Sequence, residues 1–125
     1  MGEDKATANI AGDERLPLLG VDELGDGDVK KVVLPGHPAL AVYRLGGEFF
    51  ATDDICTHGS ASLADGFVED GQIECPYHGG RFDIRTGQPT SHPCTIALRA
   101  YKVVVEGQQL FVQIPRPTGN SEREG

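Results

Sequence analysis

Two short motifs constrain this chain more than any other feature. They are Cys56-Thr57-His58-Gly59 and Cys75-Pro76-Tyr77-His78-Gly79-Gly80, with 16 residues between His58 and Cys75. Each offers one thiolate and one imidazole. Each runs into glycine, which tolerates positive φ and lets backbone approach a ligand closely. Each also follows an expected strand, where a hairpin tip could present it. A chain built this way has to bring two loops to one point, and the donor set there is that of a metal centre. Zinc also accepts two Cys and two His. Zinc fingers, however, open on a pair of cysteines and end on a pair of histidines. Here Cys and His alternate, and Cys-x-His is tighter than the usual zinc knuckle.

The rest of the sequence reads as short strands and turns. Seventeen Gly and eight Pro in 125 residues favour an all-β fold. Val29–Leu34 and Ala39–Leu45 are strand-like, and Gly46-Gly47 turns the second into Glu48–Thr52. Glu69-Asp70-Gly71 separates Phe67–Val68 from Gln72–Cys75, and Arg81–Ile84 ends at Thr86-Gly87. Glu106-Gly107 joins Ala97–Val105 to Gln109–Ile114. The unbroken run Val103-Val104-Val105 predicts a strand buried on both faces, and Ser60–Ala64 predicts one helical turn. Residues 1–14 and 115–125 are polar and aperiodic and are expected to be tails. That leaves a single domain over 15–114.

A formal net charge of −8 argues against nucleic acid and against anionic membrane surfaces. No stretch approaches a membrane span. MGEDKATANIAGDE has no apolar export signal and no twin Arg. Three cysteines do not make a disulfide framework, so the reducing cytoplasm is the expected location. From Glu48 to Gln88 eight acids (Glu48, Asp53, Asp54, Asp65, Glu69, Asp70, Glu74, Asp83) face two bases, Arg81 and Arg85. A ring of such carboxylates would steer a basic partner.

The arrangement C-x-H-x16-C-x2-H resembles the Rieske iron–sulfur signature. Asp65-Gly66, Ile73-Glu74, Arg81-Phe82-Asp83 and Thr86-Gly87 extend the likeness to the soluble Rieske ferredoxins of bacterial ring-hydroxylating oxygenase systems, over roughly residues 40–112. The resemblance implies an antiparallel β-sandwich or barrel with a small cluster-binding subdomain of two hairpin loops, about residues 53–87. It implies one [2Fe–2S] cluster, with Cys56 and Cys75 on one iron and His58 and His78 on the other through Nδ1. Pro93 resembles a residue of a third loop that covers the cluster. Cys94 has no partner motif and reads as a structural thiol, while His37 and His92 read as surface residues.

The same resemblance implies a role. Such a protein is an electron carrier rather than an enzyme. It takes single electrons from a flavin-containing ferredoxin reductase to a terminal Rieske oxygenase, and works as a monomer. A terminal oxygenase also needs a mononuclear iron held by two His and a carboxylate in a separate domain, which this sequence does not provide. A respiratory subunit would need an anchor and a pair of disulfide cysteines. High-potential members resemble C-x-H-x-G-C and C-P-C-H-G-S-x-Y. Here Tyr77 replaces the second motif's extra cysteine, Gly80 its serine and Phe82 its tyrosine. Two hydroxyl donors to sulfur are therefore missing, which implies a low redox potential.

Overall fold

The computed structural model describes residues 13–115, apart from His58, Ser60, His78 and Pro93. The described chain is almost entirely strand. In order these are β1 (Asp13–Gly20), β2 (Val29–Val32), β3 (Leu40–Leu45), β4 (Glu48–Asp53) and β5 (Phe67–Glu69). They are followed by β6 (Gln72–Glu74), β7 (Arg81–Asp83), β8 (Pro89–Ser91), β9 (Ala100–Glu106) and β10 (Gln109–Pro115). Two 3₁₀ turns, Val21–Glu23 and Leu63–Asp65, are the helical elements among the described residues. The second lies at the end of the segment expected to form a helical turn. Among the described residues no helix is long and apolar enough to cross a membrane.

The strands form two antiparallel sheets, one of six strands in the order β1-β10-β9-β4-β3-β2 and one of four in the order β5-β6-β7-β8. The larger sheet curls. Leu16 and Leu18 on one edge strand and Val32 on the other pack against a single cluster of Leu24, Leu40, Val42, Leu110, Val112 and their neighbours. The expected hairpins are present. The turn between β5 and β6 places Asp70 at φ 53° and Gly71 at φ 75°, the two left-handed residues of a type I′ turn, whose twist matches that of the strands it joins.

Two expectations need correction. The strand buried on both faces is β3, where Leu40, Ala41, Val42 and Tyr43 are all at 0% exposure. Leu40 and Val42 enter the base core, while Ala41 and Tyr43 enter a second core with Cys56, Ile73, Cys75 and Phe82. The Val103–Val105 run lies in β9, where Val103 and Val104 are half-buried and Val105 is 49% exposed. That strand has a core on one side only. The other correction is β1, which begins two residues inside the segment expected to be a tail. It pairs with β10 from Asp13↔Pro115 onward, with an irregularity after Pro17. Proline lacks an N–H and is tolerated on such an edge strand. The remainder of both expected tails lies outside the described residues.

Gly66 and Glu74 mark where the smaller sheet closes on the first cysteine loop. A Cβ on Gly66 would overlap the Glu74 carbonyl oxygen. Gly66→Ala should therefore cost about 1–3 kcal/mol in chemical denaturation. Gly47→Ala, which meets nothing within 4 Å, should stay within about 0.5 kcal/mol of the parent.

Candidate metal centre

Cys56 and Cys75 are each at 2% exposure and share one apolar cluster with Ala61, Leu63, Ile73, Phe82 and Ile84. Their loops are built alike. The Cys56 N–H donates to the Ala61 carbonyl (2.9 Å), and the Cys75 N–H donates to the Gly80 carbonyl (2.8 Å). Both bonds span five residues. Inside each loop a glycine N–H turns back to the cysteine carbonyl, Gly59 to Cys56 and Gly79 to Cys75, both at 3.2 Å. Gly79 takes φ 74°, so the glycine after the second motif is required by the turn. His58 and His78, the other two expected ligands, lie outside the described residues, as does Pro93.

The first loop is held from below by a residue misread in the sequence. Asp54, expected among the exposed carboxylates, is at 0% exposure. It accepts from Ser62 Oγ (2.6 Å) and from the Ala64 N–H (2.9 Å), while its own N–H donates to the Ala39 carbonyl (3.0 Å). An isolated bridge between Ile55 and Ser62 closes the neck of the loop. A run of two acids in a sequence normally reads as surface, so only the neighbouring Ser62 could have hinted at this role.

The second loop is braced by Arg81. Its guanidinium reaches Glu74 (2.8 Å) directly across the ladder, and Glu69 at 3.5 Å. Arg85 ties the small sheet to the base by pairing with Glu48 at 2.8 Å and lying 4.8 Å over the Phe50 ring. Asp83 accepts from the Arg85 N–H, and Asp53 accepts from the Tyr101 hydroxyl (2.6 Å). Of the eight acids counted from the sequence, Asp65 and Asp70 remain as exposed turn residues. The other six have structural partners.

A third segment completes the centre. Thr57 Oγ1 donates to the Ile96 carbonyl at 2.6 Å, fastening 94–96 to the first loop. Cys94, read from the sequence as a structural thiol, is at 4% exposure in the same cluster as Cys56 and Cys75. Burial pushes its thiol up to about 12, helped by the charge of Cys56, a hydrogen bond to the Cys56 side chain and the charge of Cys75. None of the three cysteines, all among the described residues, is in a disulfide. His92 is exposed, as expected. His37 is half-buried, with its ring 5.6 Å from and edge-on to Tyr101.

Residues 14–102 match the model of the Rieske [2Fe–2S] domain. The chain is 50% identical over 98 residues to the ferredoxin component of the p-cumate 2,3-dioxygenase system of Pseudomonas putida, covering 78% of this chain and 83% of that protein. A solved structure of the complex of reduced oxygenase and oxidized ferredoxin in carbazole 1,9a-dioxygenase contains a chain that superposes with a TM-score of 0.78 at 39% identity. That match covers 83% of this chain and 96% of the other. The Sphingomonas yanoikuyae B1 ferredoxin superposes at 0.76 with 44% identity, covering 83% of this chain and all of that one.

Asp54→Ala should destabilise the protein by about 1–3 kcal/mol in denaturant, because it orphans the Ala64 N–H and the Ser62 hydroxyl. Asp54→Asn keeps one acceptor oxygen and should lose less. Equal stability of all three proteins would remove Asp54 as the anchor of the first loop.

Proposed function

The chain belongs to the Rieske [2Fe–2S] family, and on that premise we propose that it carries single electrons from a flavin-containing reductase to a terminal aromatic ring-hydroxylating oxygenase. Cys56, His58, Cys75 and His78 hold its one Rieske cluster in this reading. When bound, the cluster accepts and releases one electron at a time. The observation that carries the ligand assignment is the matched pair of loops. Two buried cysteines, each closed by the same five-residue hydrogen bond, bring two thiolates into one cluster. In the sequence each is followed within three residues by a histidine. A two-Cys, two-His set delivered by two equivalent loops fits the Rieske group. The relatives are named as ferredoxin components, and the chain is an electron-transfer protein rather than a catalyst.

A low potential is supported by what surrounds the sulfurs. Phe82 is at 0% exposure in the same cluster as both cysteines and has no hydroxyl. Gly80, also buried, uses its carbonyl to accept the Cys75 N–H and has no side chain to donate. Fewer donors to sulfur leave the charge of the reduced form less compensated. Tyr77 (71% exposed) and Ile96 (64% exposed) sit on the second loop and on the segment fastened to the first. They offer apolar contact for a partner docking over the cluster loops. The proposal extends to a monomer, and to the cytoplasm, where an odd count of three cysteines outside a disulfide framework is expected.

Iron and acid-labile sulfide should each be found at two per chain, with a Rieske visible and EPR spectrum. Cys75→Ala or His58→Ala should abolish that spectrum, and its full retention in either variant would refute that ligand. The midpoint potential should fall near the bottom of the class, about −150 mV. A strongly positive value would reject the low-potential reading. Anaerobic mixing should show reduction by a flavoprotein reductase and reoxidation by a ring-hydroxylating oxygenase. Failure of both transfers would reject the carrier role.

A further inference from the structure

The outer face of the four-stranded sheet carries one side chain that its position does not call for. Val68, Ile73 and Phe82 face inward, into the core shared with the cysteines. By strand alternation Phe67, Glu69, Gln72, Glu74 and Arg81 then face outward. A sheet with one wet face places apolar residues inward and polar ones outward. Phe67 breaks that rule and is 63% exposed. It stands on β5, an edge strand paired with β6 alone. Across the ladder it lies opposite Glu74, which lies opposite Arg81. Glu74 precedes Cys75 and Arg81 follows Gly80, so this row borders the second cysteine loop. Phe67 is beside the loops rather than over them.

The charges around it are one-sided. From Asp65 to Asp83 five acids stand against one base, Arg81. That base is paired with Glu74 and Glu69. Asp65 and Asp70 flank Phe67 in the chain and are exposed, and their carboxylates have no partner among the described residues. An aromatic anchor inside a charged rim is the composition of a protein–protein contact. Its complement is an apolar recess bordered by Lys and Arg. An anionic membrane surface would be repelled by the same rim.

We propose that Phe67, with Asp65 and Asp70 beside it, is a lateral docking patch that seats in such a recess on the terminal oxygenase. This inference rests on the carrier role. Of the two partners in that role, the oxygenase is the one in whose complex a ferredoxin of this fold has been solved.

Stopped-flow binding of the reduced holoprotein to the ring-hydroxylating oxygenase that reoxidises it reads the two rate constants separately. Phe67→Ser should keep the parent's cluster spectrum and raise the dissociation rate by about tenfold, with association unchanged. Phe67→Leu keeps an apolar contact and should lose less. Asp65→Asn combined with Asp70→Asn should slow association several-fold at low salt and flatten its dependence on ionic strength, with dissociation unchanged. Asparagine accepts the left-handed turn position of Asp70. Reduction of Phe67→Ser by the flavoprotein reductase should run at the parent rate. Unchanged dissociation of Phe67→Ser from the oxygenase, or a loss confined to the reductase or equal for both partners, would overturn the patch and leave the carrier role standing. So would an association rate indifferent to the two aspartates. If the parent itself transfers no electron to either partner, the carrier role fails and this inference with it.

Discussion

On the proposed ligand assignment, the smaller half of the molecule is arranged around two buried sulfurs, Cys56 and Cys75, that would also be charged. An isolated thiolate in an apolar cluster is a costly charge, and bound iron would compensate it. In the Rieske ligand set two ferric ions, two sulfides and two thiolates sum to zero, and neutral imidazoles leave that sum unchanged. One added electron is then the net charge of the centre. Adding it to a neutral centre costs less than adding it to the dianion that four thiolates would make. Burial of Cys56 and Cys75 among Leu63, Ile73, Phe82 and Ile84 is therefore compatible with the chemistry. The chain meets the geometric demand by using one loop construction twice, with the second copy reached through the tight β5–β6 hairpin.

That half gains little from strand length. Its strands are three residues long, at the short end of the usual range. It borrows β3 instead, whose Ala41 and Tyr43 face it while Leu40 and Val42 face the base. A strand shared by two cores needs an unbroken apolar run, and Leu40–Tyr43 is one. The buried Tyr43 hydroxyl is satisfied by Thr52 Oγ1 at 2.8 Å on the neighbouring strand, so the shared wall carries no orphaned polar group there. Asp54 and Arg85 then fasten the subdomain at two separate points, through the first loop and through the face of Phe50. The placement of the cysteine loops thus depends on contacts with the base sheet.

What was legible in the sequence was local. The Cys/His spacing and the hairpins at Gly46-Gly47, Asp70-Gly71 and Glu106-Gly107 follow from side-chain chemistry and left-handed backbone, both written within a few residues. What was not legible depends on distant partners. β1 carries a proline and no clean alternation, and it becomes a strand because β10, about a hundred residues away, pairs with it. Val103–Val105 and Leu40–Tyr43 are both apolar runs, and only the position of the second core decides which is buried twice. Asp54 and its neighbour Asp53 look alike in sequence. One anchors a loop in the interior, and the other takes the Tyr101 hydroxyl. Cys94 has no motif, because its place at the centre depends on a bond between Thr57 and Ile96, 39 residues apart in sequence.

The acidic composition of this half keeps a meaning, but a narrower one than a ring of contact carboxylates. Arg81 and Arg85 were already in the balance of eight acids to two bases, so their ion pairs do not change the net field at a distance. What changes is the near surface. Six of the eight acids are committed to loops, ladders and hydroxyl groups of the protein's own fold. A field of that kind acts over about 8 Å at physiological ionic strength and raises the rate of encounter more than the strength of the complex. On the proposed role, short-range adhesion over the loops would fall instead to a few exposed apolar side chains such as Tyr77 and Ile96. A carrier that meets two partners in turn and leaves each of them would be served by that division. Charge would bring a partner close, salt would weaken that attraction, and a small apolar contact would hold the pair long enough for one electron to cross.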